Sequence, residues 1–127
     1  MLARHQDILA SEIAWRPGSG PGIEYARFLL DEGNPSSPMI ILSRFAPHAE
    51  VGPHTHDTNY FEYILEGEQT VGKSTFRTGD VRLVTASTGY GPIKVGAQGC
   101  TVLIVFENAS NAMTVDLPRK KPAHAAA

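Results

Sequence analysis

The sequence predicts an all-β barrel or sandwich, and three observations lead there. Twelve Gly and nine Pro punctuate the 127 residues at short intervals. The segments between them are rich in β-branched and aromatic residues, and they lack the apolar stripe of helical period. They are also short and regularly spaced, as in a sandwich or a barrel.

Taken in order, a first strand is expected at residues 12–15, ending before the Pro-Gly-Ser-Gly-Pro-Gly run at 17–22. Strands at 23–30 and 39–45 flank the Gly-Asn-Pro-Ser-Ser-Pro break at 33–38. Strands at 60–65 and 69–71 are separated by Leu65-Glu66-Gly67-Glu68, read as a hairpin turn and not as a phosphate loop. Residues 74–77 and 81–84 form two more strands around Thr78-Gly79-Asp80, and after Gly89-Tyr90-Gly91-Pro92 the run at 101–106 supplies the last. Residues 1–11 fit neither the strand nor the helix period and are expected to form an N-terminal arm. The barrel is expected to span 12–107. From Asn108 the pattern decays into Ala, Ser and Asn and then a basic tail, so 108–127 is expected to be a partly disordered extension with His124 in solvent.

Composition narrows the function classes. The length allows one domain with one core. Eleven Lys and Arg stand against thirteen Asp and Glu, and three of the eleven are Arg119, Lys120 and Lys121 in the tail. The barrel is therefore mildly acidic, which argues against a nucleic-acid partner held by phosphate contacts. Cys100 is the sole cysteine, which rules out an intrachain disulfide and any CxxC site, and its place before an apolar run fits a small core residue. No apolar run approaches the roughly 18 residues of a membrane helix, and Asp7 and Glu12 interrupt what would be a signal-peptide core. The expectation is a soluble cytoplasmic protein with no membrane partner. A homodimer is expected too, because an edge strand near Ile13 and Trp15, or at 23–30, needs covering.

The chemistry concentrates between Gly52 and Glu68. In an extended backbone, residues i and i+2 face one way, so His54 and His56 project together and two imidazoles can share one metal. On the following strand Tyr60, Glu62 and Ile64 share one face, and Phe61, Tyr63 and Leu65 the other. Three roles stay open for Glu62: third metal ligand, nearby acid or base, or satisfied structural carboxylate. His48 is placed on a loop at the barrel entrance, and Asp57 either orients a His ring or closes a turn. Arg44, Arg82 and Lys94 are candidates for an anionic substrate or for a solvated outer face.

The run from Pro47 through Gly67, with Pro-His-Thr-His at 53–56 and Tyr-Ile-Leu-Glu-Gly-Glu at 63–68, followed by Thr-Gly-Asp-Val-Arg-Leu-Val at 78–84, resembles the two motifs of the cupin superfamily. That resemblance covers about residues 12–107 and implies a double-stranded β-helix, or jelly-roll, barrel. It also implies a divalent transition metal (Fe, Mn, Ni or Zn) held by His54 and His56, and a small-molecule substrate inside the barrel. Two departures stand out. Counted from the motif glycines, Tyr60 occupies the family's Glu ligand position and Tyr90 its second-motif His position. Glu62 lies two residues farther along, about 6.5 to 7 Å. The resemblance implies dioxygenase-, isomerase- or cyclase-like chemistry with Glu62, Tyr60 and Tyr90 as the groups beside the metal. The alternative is a non-catalytic ligand-binding or sensory module without metal, and a metal-free enzyme using the same three residues is a further reading.

Overall fold

The computed structural model describes residues 5–118. Its strands are β1 (Arg16–Pro17), β2 (Ile23–Leu29), β3 (Met39–Phe45), β4 (Glu50–Val51), β5 (His54–His56), β6 (Tyr60–Val71), β7 (Ser74–Arg77), β8 (Val81–Val84), β9 (Ile93–Phe106) and β10 (Thr114–Asp116). One sheet runs β1-β2-β3-β9-β6-β7, with β4 joined to β9 and β8 to β6, while β5 and β10 form a second, two-stranded sheet. Every pairing is antiparallel. This is the all-β class that the turn chemistry and strand spacing predict. Among the described residues no helix is long and apolar enough to cross a membrane.

Four local readings change. The expected strand at 12–15 is instead a 3-10 turn at Ala10–Glu12 and then β1. The Glu12 carboxylate accepts from the Leu9 amide at 2.8 Å, closing the turn. Residues 65–68 are not a hairpin turn: β6 runs on through them with register shifts between Ile64 and Glu66 and between Gly67 and Gln69. Gly67 sits at φ +77°, where a Cβ would collide with the Gly99 carbonyl oxygen, so the glycine serves a bulge and not a chain reversal. β9 begins at Ile93, eight residues earlier than expected. Finally, β10 lies beyond the expected boundary at 107 and pairs with β5, so part of the expected extension is built into the molecule. Residues 119–127 of the expected extension, with His124, lie outside the described residues.

The strand period divides the wide sheet into two faces. On the inner face one row runs Leu29, Met39, Phe106, Tyr60, Val84, and the next runs Arg27, Ile41, Ile104, Glu62, Arg82. Met39, Tyr60, Val84 and Phe106 form one buried cluster with Ala112, and Ile64, Val95, Cys100 and Val102 form another. On the outer face the rows run Phe28, Ile40, Val105, Phe61, Leu83 and Ala26, Leu42, Leu103, Tyr63, Val81. The edge expected to need a partner is partly occupied: β1, ending in Pro17, covers β2 at Glu24 and Tyr25, and Trp15 lies under Arg44 at 3.7 Å.

Candidate functional site

The site is built around β5. On one side its residues pair with β10, His56 opposite Thr114 and His54 opposite Asp116. On the other, His54 and Tyr90 exchange backbone hydrogen bonds of 3.0 and 3.1 Å, which fixes Tyr90 beside the His pair. His54 and His56 are both buried, with ring centroids 5.2 Å apart edge to face. Their Nδ1 atoms lie 2.9 Å from the carbonyl oxygens of Gly52 and Ala112. A carbonyl only accepts, so each Nδ1 of a neutral ring carries its hydrogen and each Nε2 presents a lone pair. Burial lowers the pKa of His56 from its usual 6.5, which favours the neutral form.

Tyr60 and Tyr90 join this pair. The Tyr60 hydroxyl donates to the Tyr90 hydroxyl, and Tyr90 reaches His54 Nε2 at 3.0 Å. With Nδ1 of His54 already a donor, Tyr90 is the donor in that bond. The Tyr60 ring stands 5.2 Å from His56 and 5.0 Å from Phe106, edge-on and tilted respectively. Burial pushes both phenols up, Tyr60 far above its usual value and Tyr90 to about 12, so the protein alone holds them protonated. The two positions at which the family resemblance places ligands, Tyr60 and Tyr90, therefore gather with His54 and His56.

Glu62 does not join them as a ligand. It is buried on the same inner face, but its carboxylate accepts from Gln69 Nε2 at 2.6 Å and from Arg82 at 3.1 and 3.2 Å. The physical reason is the register: Glu62 and Arg82 are direct cross-strand partners, and the guanidinium is the nearest group that offsets burial of the carboxylate. Arg82 also lies over the Tyr90 ring at 4.6 Å and the Phe76 ring at 5.4 Å. Among the described residues no three His, Cys, Asp or Glu side chains gather closely enough to hold one metal ion.

The other sequence candidates fall away from the cluster. His48 is exposed on its loop with φ +64°. Asp57 directly follows His56, but its carboxylate accepts from the Ser87 hydroxyl at 3.1 Å and not from an imidazole. Arg44 pairs with Glu24 at 3.1 Å on the outer face, and Lys94 is exposed on β9. Cys100 is buried in the second core cluster, its thiol pushed up to about 12 by burial.

His54, His56, Tyr60, Tyr90 and Glu62 line a cavity of about 510 Å³ inside the barrel. Its mouth includes Ser19 and Met113, and its walls are mainly the apolar residues of the inner rows. That volume suits a small organic molecule. Two lining contributions were not foreseen. Ala112 holds His56 from a segment whose composition reads as tail, and only the apolar Val115 and Leu117 hinted at a strand there. Arg27 lines the cavity from β2, where its phase with Ile23 and Tyr25 was the sole available signal.

The architecture has relatives among solved structures. The polyketide cyclase RemF from Streptomyces resistomycificus superposes with a TM-score of 0.75 at 14% identity, over 92% of this chain and 88% of that one. An RmlC-like cupin protein from Ralstonia eutropha gives 0.73 at 15% identity, over 92% and 74%. Oxalate decarboxylase from Bacillus subtilis gives 0.70 at 20% identity over 84% of this chain, which spans only 30% of the decarboxylase. No protein-family model matches the chain, and no curated protein matches it in sequence. At these identities the likeness is one of fold: the chain folds as a jelly-roll barrel of the cupin type.

Proposed function

We propose that the protein is an enzyme acting on a small carbonyl compound inside the barrel, by stabilising the oxyanion that develops when the Glu62 carboxylate, which keeps a lone pair on Oε2, takes the proton from the carbon next to the carbonyl. Isomerisation and cyclisation belong to that class. One observation carries the reading: two imidazoles and two protonated phenols converge on one wall of a mainly apolar cavity.

The donor set of the site suits a divalent transition metal. With both Nδ1 atoms tied to backbone carbonyls, the Nε2 lone pairs of His54 and His56 fit such an ion, as ligating imidazoles usually have the other nitrogen held in this way. Fe, Mn, Ni or Zn held there would supply polarisation of a carbonyl oxygen. The chain does the rest. Tyr90, turned from His54 towards the substrate oxygen, donates one hydrogen bond, and Tyr60 supports that phenol as its own donor. Preplaced donors in a water-poor site are effective because they need no reorganisation as charge builds. Phe106 and Met39 exclude water from the Tyr60 side.

The test pairs composition with chemistry. Elemental analysis of untagged protein, wild type against His54→Ala plus His56→Ala, should find near-stoichiometric metal that the double variant loses. Solvent deuterium should enter the position next to the carbonyl of small ketones or keto acids with wild type and not with Tyr60→Phe plus Tyr90→Phe. Wild type that neither takes up Fe, Mn, Ni or Zn nor exchanges deuterium overturns the reading. A second reading, a non-catalytic binding module, is favoured by the pairing of Glu62, the one carboxylate among the described residues lining the cavity, with Gln69 and Arg82. Tight ligand binding without exchange would select it.

A further inference from the structure

We propose that Arg27 is the anion-binding residue of the cavity, and that the molecule bound there is a small organic carboxylate with its carbonyl end towards Tyr60. This rests on the reading above for the position of the reacting carbonyl, and on nothing else in it.

Two charged side chains line the cavity, Arg27 and Glu62. Glu62 is neutralised by Arg82, its cross-strand partner, at 3.1 Å. Among the described residues Arg27 makes no ion pair; its Nε–H donates to the Met39 sulfur at 3.0 Å. A thioether is a weak acceptor, and the remaining guanidinium hydrogens are left for water or ligand. Of the two charged side chains that line the cavity, Glu62 thus has its counterion and Arg27 has none among the described residues. A guanidinium in that position suits the planar, bidentate geometry of a carboxylate.

The placement also sets a direction. Arg27 and Glu62 lie in one inner row with Ile41 and Ile104 between them, three strand spacings or about 14 Å along the curved wall. The contact with Met39 draws Arg27 towards the neighbouring row, in which Met39 is followed by Phe106 and then Tyr60. A ligand with its carboxylate on Arg27 thus has an apolar floor of Met39 and Phe106 under its middle and meets the phenols and imidazoles at its far end. The bland alternative is that Arg27 lays its methylenes on the apolar wall and its charge in water. The two differ in one measurable respect, a preference for an anion over its neutral ester.

Calorimetry with 6-oxoheptanoate, whose carboxylate and ketone stand at opposite ends of an apolar chain, and with its methyl ester makes that comparison on the full-length protein, without requiring turnover. Wild type should bind the acid roughly tenfold or more tightly than the ester, as expected for loss of a charge-assisted pair. Arg27→Gln should remove that preference while leaving the ester's affinity unchanged, and Arg27→Lys should restore part of it. Arg27 is exposed at the mouth, so its variants should keep the wild-type melting midpoint. Equal binding of acid and ester by wild type, no binding of either, or a preference that survives Arg27→Gln overturns the inference. If the acid preference holds while metal uptake and exchange fail, the proposed reaction falls and the anion site stands. If exchange is seen without the preference, the reverse follows.

Discussion

β6 presents two faces that invert the usual arrangement of a barrel strand. Inward, Tyr60 and Glu62 put a phenol and a carboxylate where apolar side chains normally sit; outward, Phe61, Tyr63 and Leu65 put rings and an aliphatic chain towards solvent. An inward apolar and outward polar alternation is the rule for a sheet with one solvated side. The informative features of a surface and a core are buried polar groups and exposed apolar patches, and β6 supplies both on one strand. The inner face is costly to maintain and is held by named partners. The outer face is cheap to maintain, and nothing within the described chain covers Leu83, 78% exposed beside Phe61.

The largest effect is expected at the buried ion pair of Glu62 and Arg82. Arg82→Met leaves the Glu62 carboxylate buried with Gln69 as its remaining donor. Removing one partner of a buried pair costs about 3 to 5 kcal/mol, because the other charge is stranded. Urea unfolding should show that loss. Glu62→Gln added to Arg82→Met should recover a large part, since no charge is then left in the core. A loss under about 1 kcal/mol for the single variant would mean that Glu62 escapes to water, as exposed pairs do.

Next in size is the phenol pair. Tyr90→Phe deletes the donor to His54 and the acceptor for Tyr60. If the pair stabilises an oxyanion, kcat for deuterium exchange should fall on the order of 100-fold or more, about 2.7 kcal/mol, with KM little changed. Stability should move far less, because the ring still packs under Arg82. An equal fall for Leu83→Lys on the outer face would remove the distinction between the two faces.

The fold was legible because it rests on local signals. Turn residues at 17–22, 33–38, 78–80 and 89–92 separate strands that the structure places within a residue or two of expectation, β2, β3, β7 and β8 among them. Long strands were not legible as units. A bulge at Gly67 and a glycine at Gly99 look like breaks in sequence, yet β6 and β9 run through them, because a positive φ serves a bulge as well as a turn. In the site, strand phase placed His54, His56, Tyr60 and Glu62 on the cavity side. Phase gives a direction and no partner, so it did not reveal that Glu62 would be taken by Arg82. Nor did it reveal Ala112 or Arg27, whose contacts lie 56 residues away in the first case and 12 in the second.

A smaller effect follows from His56. Its pKa is lowered by burial, so the unfolded chain binds the proton more readily than the folded one. The resulting stabilisation is fully present above the usual 6.5 and is lost as pH falls through the folded value. Each unit of lowering is worth about 1.4 kcal/mol at the acid end. For metal-free protein the urea midpoint should therefore drop between about pH 8 and pH 5 by more in wild type than in His56→Gln. Identical slopes would mean that the ring reaches water when it is charged.

The smallest effect on stability, and the one that bears on the outer face, is that of Leu83→Lys. Leu83 ends a row of five apolar residues crossing five strands, and Val81, 46% exposed, ends the next. Because Leu83 is so exposed, its replacement should change the unfolding free energy by no more than about 0.5 kcal/mol. Its effect on association is a separate matter. The homodimer expected from the sequence was assigned to the edge near Ile13, Trp15 and β2, yet β1 and its Pro17 take up part of that edge. Two broad apolar rows are the better surface for a second copy, and a charge at their end should weaken any contact made there. Sedimentation of wild type should show a dimer that Leu83→Lys shifts towards monomer, with the deuterium-exchange rate per chain unchanged. A wild-type monomer would show instead that this protein keeps an apolar outer face in water, and the inversion along β6 would then report on the cavity alone.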